Sequence, residues 1–165
     1  MHVHKGQSSH IPLLLKYSEI TKGPILELGA GLFSTPLLHW ICAESERPLL
    51  TYEHNKEWFE TARRFRARNH LVRFVKNWDE IDLTEIPPNI NKNYSRWDLA
   101  FIDHEGDRRM VDAIRLKSAA EYIILHDTND VRAYDPQKLR SHFKYRHDWT
   151  FSIPTTSVVS NFHKL

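Results

Sequence analysis

Short apolar runs alternate along this chain with stretches of helical periodicity. The runs at 25–28, 49–52, 72–75, 99–102 and 122–125 have strand length. Between them, 36–43, 56–69 and 108–119 read as helices. In 56–69, Trp58, Ala62, Phe65 and Asn69 recur at spacings of four, three and four, which predicts a core-facing stripe. Alternation of this kind predicts an α/β domain with a parallel sheet. After the fifth run, Asp135-Pro136 predicts a capped helix start, with helix to about Phe143. The character then changes. Residues 149–153 and 156–162 are β-rich and meet at Pro154-Thr155, which predicts an antiparallel hairpin. The expected fold is a doubly wound α/β sheet of about seven strands, mostly parallel, closed by that C-terminal hairpin.

Residues 24–38 read PILELGAGLFSTPLL. Ile25, Leu26 and Leu28 form a buried strand with one acid, Glu27, inside it. Gly29 and Gly31 supply a turn where the backbone can take positive φ, or where a ligand can approach without meeting a Cβ. Ser34, Thr35 and Pro36 follow as a helix start, with Thr35 as N-cap and Pro36 at the first helical position. Strand, glycine loop and helix N-terminus together make a nucleotide-sized site. Glu53 ends LLTYE, 22 residues after Gly31 (53 − 31), where a carboxylate can accept both ribose hydroxyls. A dinucleotide fold places a third glycine against the pyrophosphate, and Ser34 stands there in GAGLFS. Glu27, two residues before the first glycine, repels a pyrophosphate and favours a sulfonium or ammonium. The charge pattern therefore favours S-adenosylmethionine over NAD.

ILELGAG resembles the first motif of the class I S-adenosylmethionine-dependent methyltransferases. GLFSTPLLHW and YEHNKEWF are similar to a small Rossmann-like subgroup carrying E-x-G-x-G-x-x-ST and then E-H-N-x-x-W. WDLAFIDHEGDRR resembles that subgroup's fourth-strand motif, EYIILHDT its fifth, and PTTSVVSNF its closing strand. The similarity runs from about His10 to Phe162. It implies a Rossmann-like fold that binds S-adenosylmethionine and releases S-adenosylhomocysteine. By resemblance, Glu27, Gly29 and Gly31 surround the methionine portion, with Ser34 and Thr35 nearby. Glu53 holds the ribose hydroxyls, His54 borders the adenosine, and Asn77 and Trp78 contact adenine. Asp103 faces the methionine amino group or the transferring methyl. Leu32-Phe33, where many members carry a third glycine, imply a different loop shape.

The fourth and fifth runs end in Asp103-His104-Glu105 and His126-Asp127-Thr128-Asn129. Methyl transfer from a sulfonium is an in-line displacement that relies on positioning. A hydroxyl acceptor also needs its proton removed or its pKa lowered. The candidate catalytic residues are Asp103, His104 and His126, the histidines as bases and Asp103 or Asp127 as orienting partner. The plainer alternative is that both histidines only bond the loop backbone. Asp103 and Asp127 also match the strand-end positions from which catechol- and sugar-type O-methyltransferases hold Mg²⁺. Those enzymes follow the second aspartate with an acid or Asn, and Thr128 stands there. Hard cations want several oxygen ligands, so no metal is expected, although a divalent ion stays open. Arg108 and Arg109, near the same rim, are candidates for holding an acidic substrate.

At 165 residues the chain is expected to be one domain, with 1–20 as an N-terminal arm. Three arrangements would enclose the site: the arm folding over the cofactor with His10, a second subunit in a homo-oligomer, or a large acceptor. The longest apolar runs, such as 11–15, fall far short of the ~20 residues that span a bilayer. The first ten residues lack the apolar core of a secretory signal. Cys42 is alone, which fits a reducing, cytoplasmic setting without disulfides. A net charge of +2 implies no polyanionic partner. His2, His4 and His10 read as part of a flexible arm rather than a metal site, since no Cys or acid is close in sequence. Arg63, Arg64, Arg66 and Arg68 invite a nucleic-acid reading, but helix charge runs are usually solvated faces. The Asn/Asp-Pro-Pro-aromatic motif of base-amino methyltransferases is absent, and Pro87-Pro88 stands before the fourth strand. The expectation is a methyltransferase acting on oxygen of a small or sugar-like acceptor, with no nucleic-acid or membrane partner. Two alternatives remain: a non-catalytic module binding S-adenosylmethionine or S-adenosylhomocysteine, and an NAD-dependent oxidoreductase.

Overall fold

In the computed structural model, which describes residues 6–87 and 94–165, Ile25–Leu28 is β1, the middle one of five parallel strands, and none of its residues reaches solvent. It pairs in parallel with β2 (Leu49–Glu53) on one side and β4 (Trp97–Ile102) on the other. β3 (His70–Phe74) continues the parallel sheet beyond β2, and β5 (Ala120–Leu125) beyond β4. β7 (Thr156–Ser160) runs antiparallel to β5, and β6 (Tyr145–Trp149) antiparallel to β7. The seven strands stand in the order β3-β2-β1-β4-β5-β7-β6. The order reverses between β1 and β4, which opens a crevice outside their carboxyl ends. The expectations for His2, His4 and Pro88 fall outside the described residues.

The central strands are apolar on both faces because helices cover both. One core joins Ile25, Leu49, Leu99 and Phe101 to α1 (Ile11–Ile20) and α2 (Ser34–Glu44), through Leu13, Leu14, Tyr17 and Leu38. The opposite face, carrying Leu26, Leu28, Leu50 and Ile102, packs Met110, Ala113 and Leu116 of α4 (Gly106–Leu116). Leu139 of α5 (Pro136–His142) joins the same core, and Asp135 caps that helix by accepting from Gln137 N and Lys138 N at 2.8 and 3.2 Å. Full burial of a Leu is worth about 1.5–3 kcal/mol. Leu13 and Leu14 therefore anchor α1 firmly and carry residues 6–10 across the crevice.

Three local expectations are corrected. The helix after β2 is α3 (Lys56–Ala62), followed by one 3-10 turn at Arg63–Phe65, instead of running through 69. Bonds made beyond the helix hold the chain after it: Arg66 donates to Val72 O at 3.1 and 2.8 Å, and the Asn69 amide donates to the distant Cys42 O and Arg47 O at 2.8 and 3.0 Å. Of the expected stripe, only Ala62 is buried. The hairpin's first strand is β6, and 150–155 form the connection, with Phe151 and Ile153 strongly exposed. β6 is an edge strand with polar composition, so its sequence shows no apolar alternation. Finally, α2 begins at Ser34, and Thr35 turns inward instead of capping. Among the described residues no helix is long and apolar enough to cross a membrane.

Candidate active site

β1 ends against the close approach of β4. Gly29 has φ +91°, and a Cβ there would stand 2.6 Å from the backbone of Asp103 and His104. Only glycine accepts both the left-handed backbone and that contact. The loop that follows is held from below. The Thr35 hydroxyl lies 3.0 Å from both Glu27 oxygens and accepts Gly31 N–H at 3.0 Å. Thr51 Oγ1 donates to Glu27 at 2.6 Å, and His70 Nε2 lies 2.9 Å from that hydroxyl. His39 Nδ1 then meets His70 Nδ1 at 3.1 Å. Burial pushes the Glu27 carboxyl up to about 7, against the hydrogen bonds from Thr51 and Thr35. Burial likewise lowers His70 to about 3, with the His39 ring adding to the effect.

Glu53, buried at the end of β2, accepts Ala30 N–H at 2.7 Å on one oxygen and Asn55 N–H at 2.6 Å on the other. Each oxygen keeps a lone pair for a ligand. His54 Nε2 stands 2.9 Å from Glu105, while its Nδ1, 3.2 Å from Glu53, makes no hydrogen bond among the described residues.

The ends of β4 and β5 hold a denser cluster. Asp103 Oδ1 takes His126 Nδ1 at 2.9 Å and Arg109 Nη2 at 2.8 Å. Arg109 also bonds Asp127 at 2.7 Å and the carbonyls of His104 and His126 at 2.7 and 3.1 Å. Asp127 sits at φ +58°, a region short polar residues tolerate. Burial alone would raise the Asp103 carboxyl, but the hydrogen bond and charge of His126, with Arg109, hold it below its ordinary value. Burial alone would lower His126; its bond to Asp103 outweighs this and raises it. His126 Nε2 meets Ser9 Oγ at 2.9 Å. His10 packs edge-on to His126 at 4.9 Å, and burial lowers its pKa to about 4, helped by His126.

These residues wall a cavity of about 480 Å³ at the carboxyl ends of the parallel strands. Its volume suits a nucleoside-sized ligand. No protein-family model matches the chain, and no curated protein matches its sequence. Solved structures do match. An O-methyltransferase from Bacillus cereus in complex with S-adenosylhomocysteine has a TM-score of 0.61 at 19% identity, covering 96% of this chain and 82% of that one. The N-terminal domain of human METTL16, also with S-adenosylhomocysteine, has a TM-score of 0.63 at 12% identity, covering 99% and 73%. An RNA methyltransferase from Salinibacter ruber with the same thioether has a TM-score of 0.60 at 12% identity, covering 94% and 92%. The fold is that of the class I methyltransferases.

Within this methyltransferase fold, Gly31, Glu53, His54, Asp103, His104 and His126 border the cavity. Glu27, Gly29, Ser34 and Thr35 lie beneath the loop, away from that wall. Asn77 caps the 3-10 turn Trp78–Glu80, accepting Asp79 N–H at 3.1 Å, and borders a separate cavity. Trp78 is a buried core residue that packs behind the wall, its ring 4.4 Å from that of His104 and 5.8 Å from that of His54, and it does not line the cavity itself. The His104 side chain is wholly buried, with Nε2 2.8 Å from Asp112. Trp58, expected in the core, stands on the cavity wall instead. The sequence signal for it was the E-H-N-x-x-W spacing: a helix starting directly after Glu53 presents its first turn to the same strand ends. Ser9 had no local signal, because its partner lies 117 residues away.

Proposed function

We propose that this chain transfers the methyl group of S-adenosylmethionine to a hydroxyl oxygen of a small or sugar-like acceptor. The observation that carries this reading is Glu53, fixed by two backbone N–H bonds at the rim of the crevice beside the glycine loop. Its free lone pairs suit the two ribose hydroxyls, and Trp58 offers an aromatic face to adenine from the same side. Four carboxylates, Glu53, Asp103, Glu105 and Asp127, line the cavity against one guanidinium, Arg109. That balance attracts a sulfonium and disfavours a pyrophosphate, which argues against NAD. It equally disfavours nucleic-acid phosphates at the mouth. In the arginine run, Arg63 pairs with Glu60 and Arg66 is committed to Val72 O.

In the reaction, the acceptor oxygen forms its bond to the methyl carbon as the carbon–sulfur bond breaks, and the electron pair stays on sulfur as the neutral thioether. The crevice holds donor and acceptor in line. The acceptor hydroxyl passes its proton to the hydrogen-bonded Asp103–His126 pair. His104 takes no direct part, since its ring is committed to Asp112. The buried, unpaired Cys42 fits a cytoplasmic setting.

Calorimetric titration tests the cofactor: S-adenosylhomocysteine should bind and NADH should not, and the reverse result overturns the reading. Labelled S-adenosylmethionine, offered with pools of hydroxylated small molecules and with RNA, tests the acceptor. Label appearing in RNA alone would overturn the small-acceptor assignment, and no transfer to any acceptor would favour a binding module.

A further inference from the structure

His10 is 2% exposed and borders the crevice, yet neither of its ring nitrogens has a hydrogen-bond partner among the described residues. A buried imidazole left in this state is unfavourable and points to a missing ligand. Asp103 and His126 face it, and one ligand atom from each of the three lies within 4.8 Å of the others. His126 Nδ1 and Asp103 Oδ1 stand 2.9 Å apart. Two atoms bonded tetrahedrally to one ion at about 2.1 Å stand about 3.4 Å apart, so this edge, now a hydrogen bond, opens by about half an ångström when an ion takes the place of its proton. The other His126 nitrogen meets Ser9 Oγ at 2.9 Å, and Ser9 lies 3.5 Å from Thr156 Oγ1. An outer partner of this kind orients a metal-ligating histidine.

We propose that His10, Asp103 and His126 form a binding site for a divalent transition-metal ion such as zinc or cobalt. Two imidazoles with one carboxylate suit borderline metals and not Mg²⁺ or Ca²⁺, which want oxygen ligands throughout. The site differs from an Asp103–Asp127 pair, because Asp127 is turned to Arg109 at 2.7 Å. Arg109 also touches Asp103 at 2.8 Å, but Asp127 answers its charge, and Glu53 and Glu105 add negative potential around the crevice. Three protein ligands leave a coordination position for an acceptor oxygen, whose proton the ion would loosen.

The site stands independently of the cofactor, so the full chain, stripped with chelator, is titrated with Co²⁺ in the absence of S-adenosylhomocysteine. The expected result is one Co²⁺ per chain with visible d–d absorption, displaced by Zn²⁺. His10→Ala and His10→Gln should weaken binding at least about tenfold, and Ser9→Ala about tenfold. His147→Ala, on the exposed face of β6, should bind as the wild type. Circular dichroism checks each fold, and if the His10 variants unfold, Asp103→Asn should show the same loss. A wild-type protein that stays colourless, or a His10→Ala spectrum identical to wild type, overturns the site. So does loss of binding in a His2→Ala/His4→Ala double variant. Thioether binding without cobalt binding sinks this site alone; cobalt binding without thioether binding sinks the cofactor reading alone.

Discussion

Glu53 Oε2 accepts the Ala30 amide at 2.7 Å, and this bond ties the end of β2 to the glycine loop leaving β1. One carboxylate thereby both shapes the loop and faces the cavity. Glu53→Ala should weaken S-adenosylhomocysteine binding by about 1–3 kcal/mol, roughly 5- to 150-fold, as charged hydrogen bonds are lost. Calorimetry on the folded variant checks this, and unchanged affinity would refute the ribose assignment.

Beneath the loop, Glu27 is held by burial at about 7 against an ordinary 4.5. Between those values the native state keeps a proton that the unfolded chain releases. Its contribution to stability is therefore present below about 4.5, falls as pH rises, and is gone above about 7. The full effect is about 3 kcal/mol. Glu27→Gln should remove this falling slope, measured by urea unfolding across that range. Identical pH profiles for variant and wild type would count against a neutral buried carboxyl.

His70, joined to Glu27 through Thr51, has the opposite sign. Burial holds it at about 3 against 6.5, so the native state binds fewer protons than the unfolded chain as the solution acidifies. Its contribution is present above 6.5 and is lost as pH falls towards about 3. Between about 4.5 and 6.5 the two slopes, each about 1.4 kcal/mol per pH unit, offset one another. Glu27→Gln and His70→Gln should therefore tilt the pH–stability curve in opposite directions, and the double variant should restore the wild-type slope. Two single variants tilting the same way would show that the groups do not titrate as assigned.

Trp58 and Trp78 separate binding from stability. Trp58→Ala removes a partly exposed wall of the cavity and should weaken S-adenosylhomocysteine binding while leaving unfolding nearly unchanged. Trp78→Ala empties a core site and should destabilise by about 3–5 kcal/mol. Thermal unfolding and calorimetry on both proteins read the two effects, and a reversed pattern would restore Trp78 as the adenine contact.

Much of the fold was legible because parallel strands buried on both faces carry dense apolar runs, as at Ile25–Leu28. The polar sequence of β6 carries no strand signal because an edge strand needs no apolar face, while Phe151 and Ile153, strand-like in composition, lie in solvent. The carboxylate at the end of β2 was also legible, since motif spacing fixes strand ends. The rest of the site depends on distant pairing. Ser9 and His126 meet across 117 residues, and Trp78 turns into the core because His104 and the α4 face receive it there. No local pattern encodes such contacts.

The two glycines of the loop should answer differently to the same substitution. At Gly29 a Cβ meets rigid backbone at 2.6 Å and the left-handed φ is strained, so Gly29→Ala should cost at least about 2 kcal/mol in stability. At Gly31 the nearest atom is the Ser34 hydroxyl at 2.8 Å, the end of a side chain that can rotate away. Gly31→Ala should leave unfolding nearly intact and instead crowd the cavity, lowering S-adenosylhomocysteine affinity. Denaturant unfolding and calorimetry on both variants separate these outcomes. A Gly31→Ala protein with full affinity would mean that the ligand does not approach the backbone of this loop.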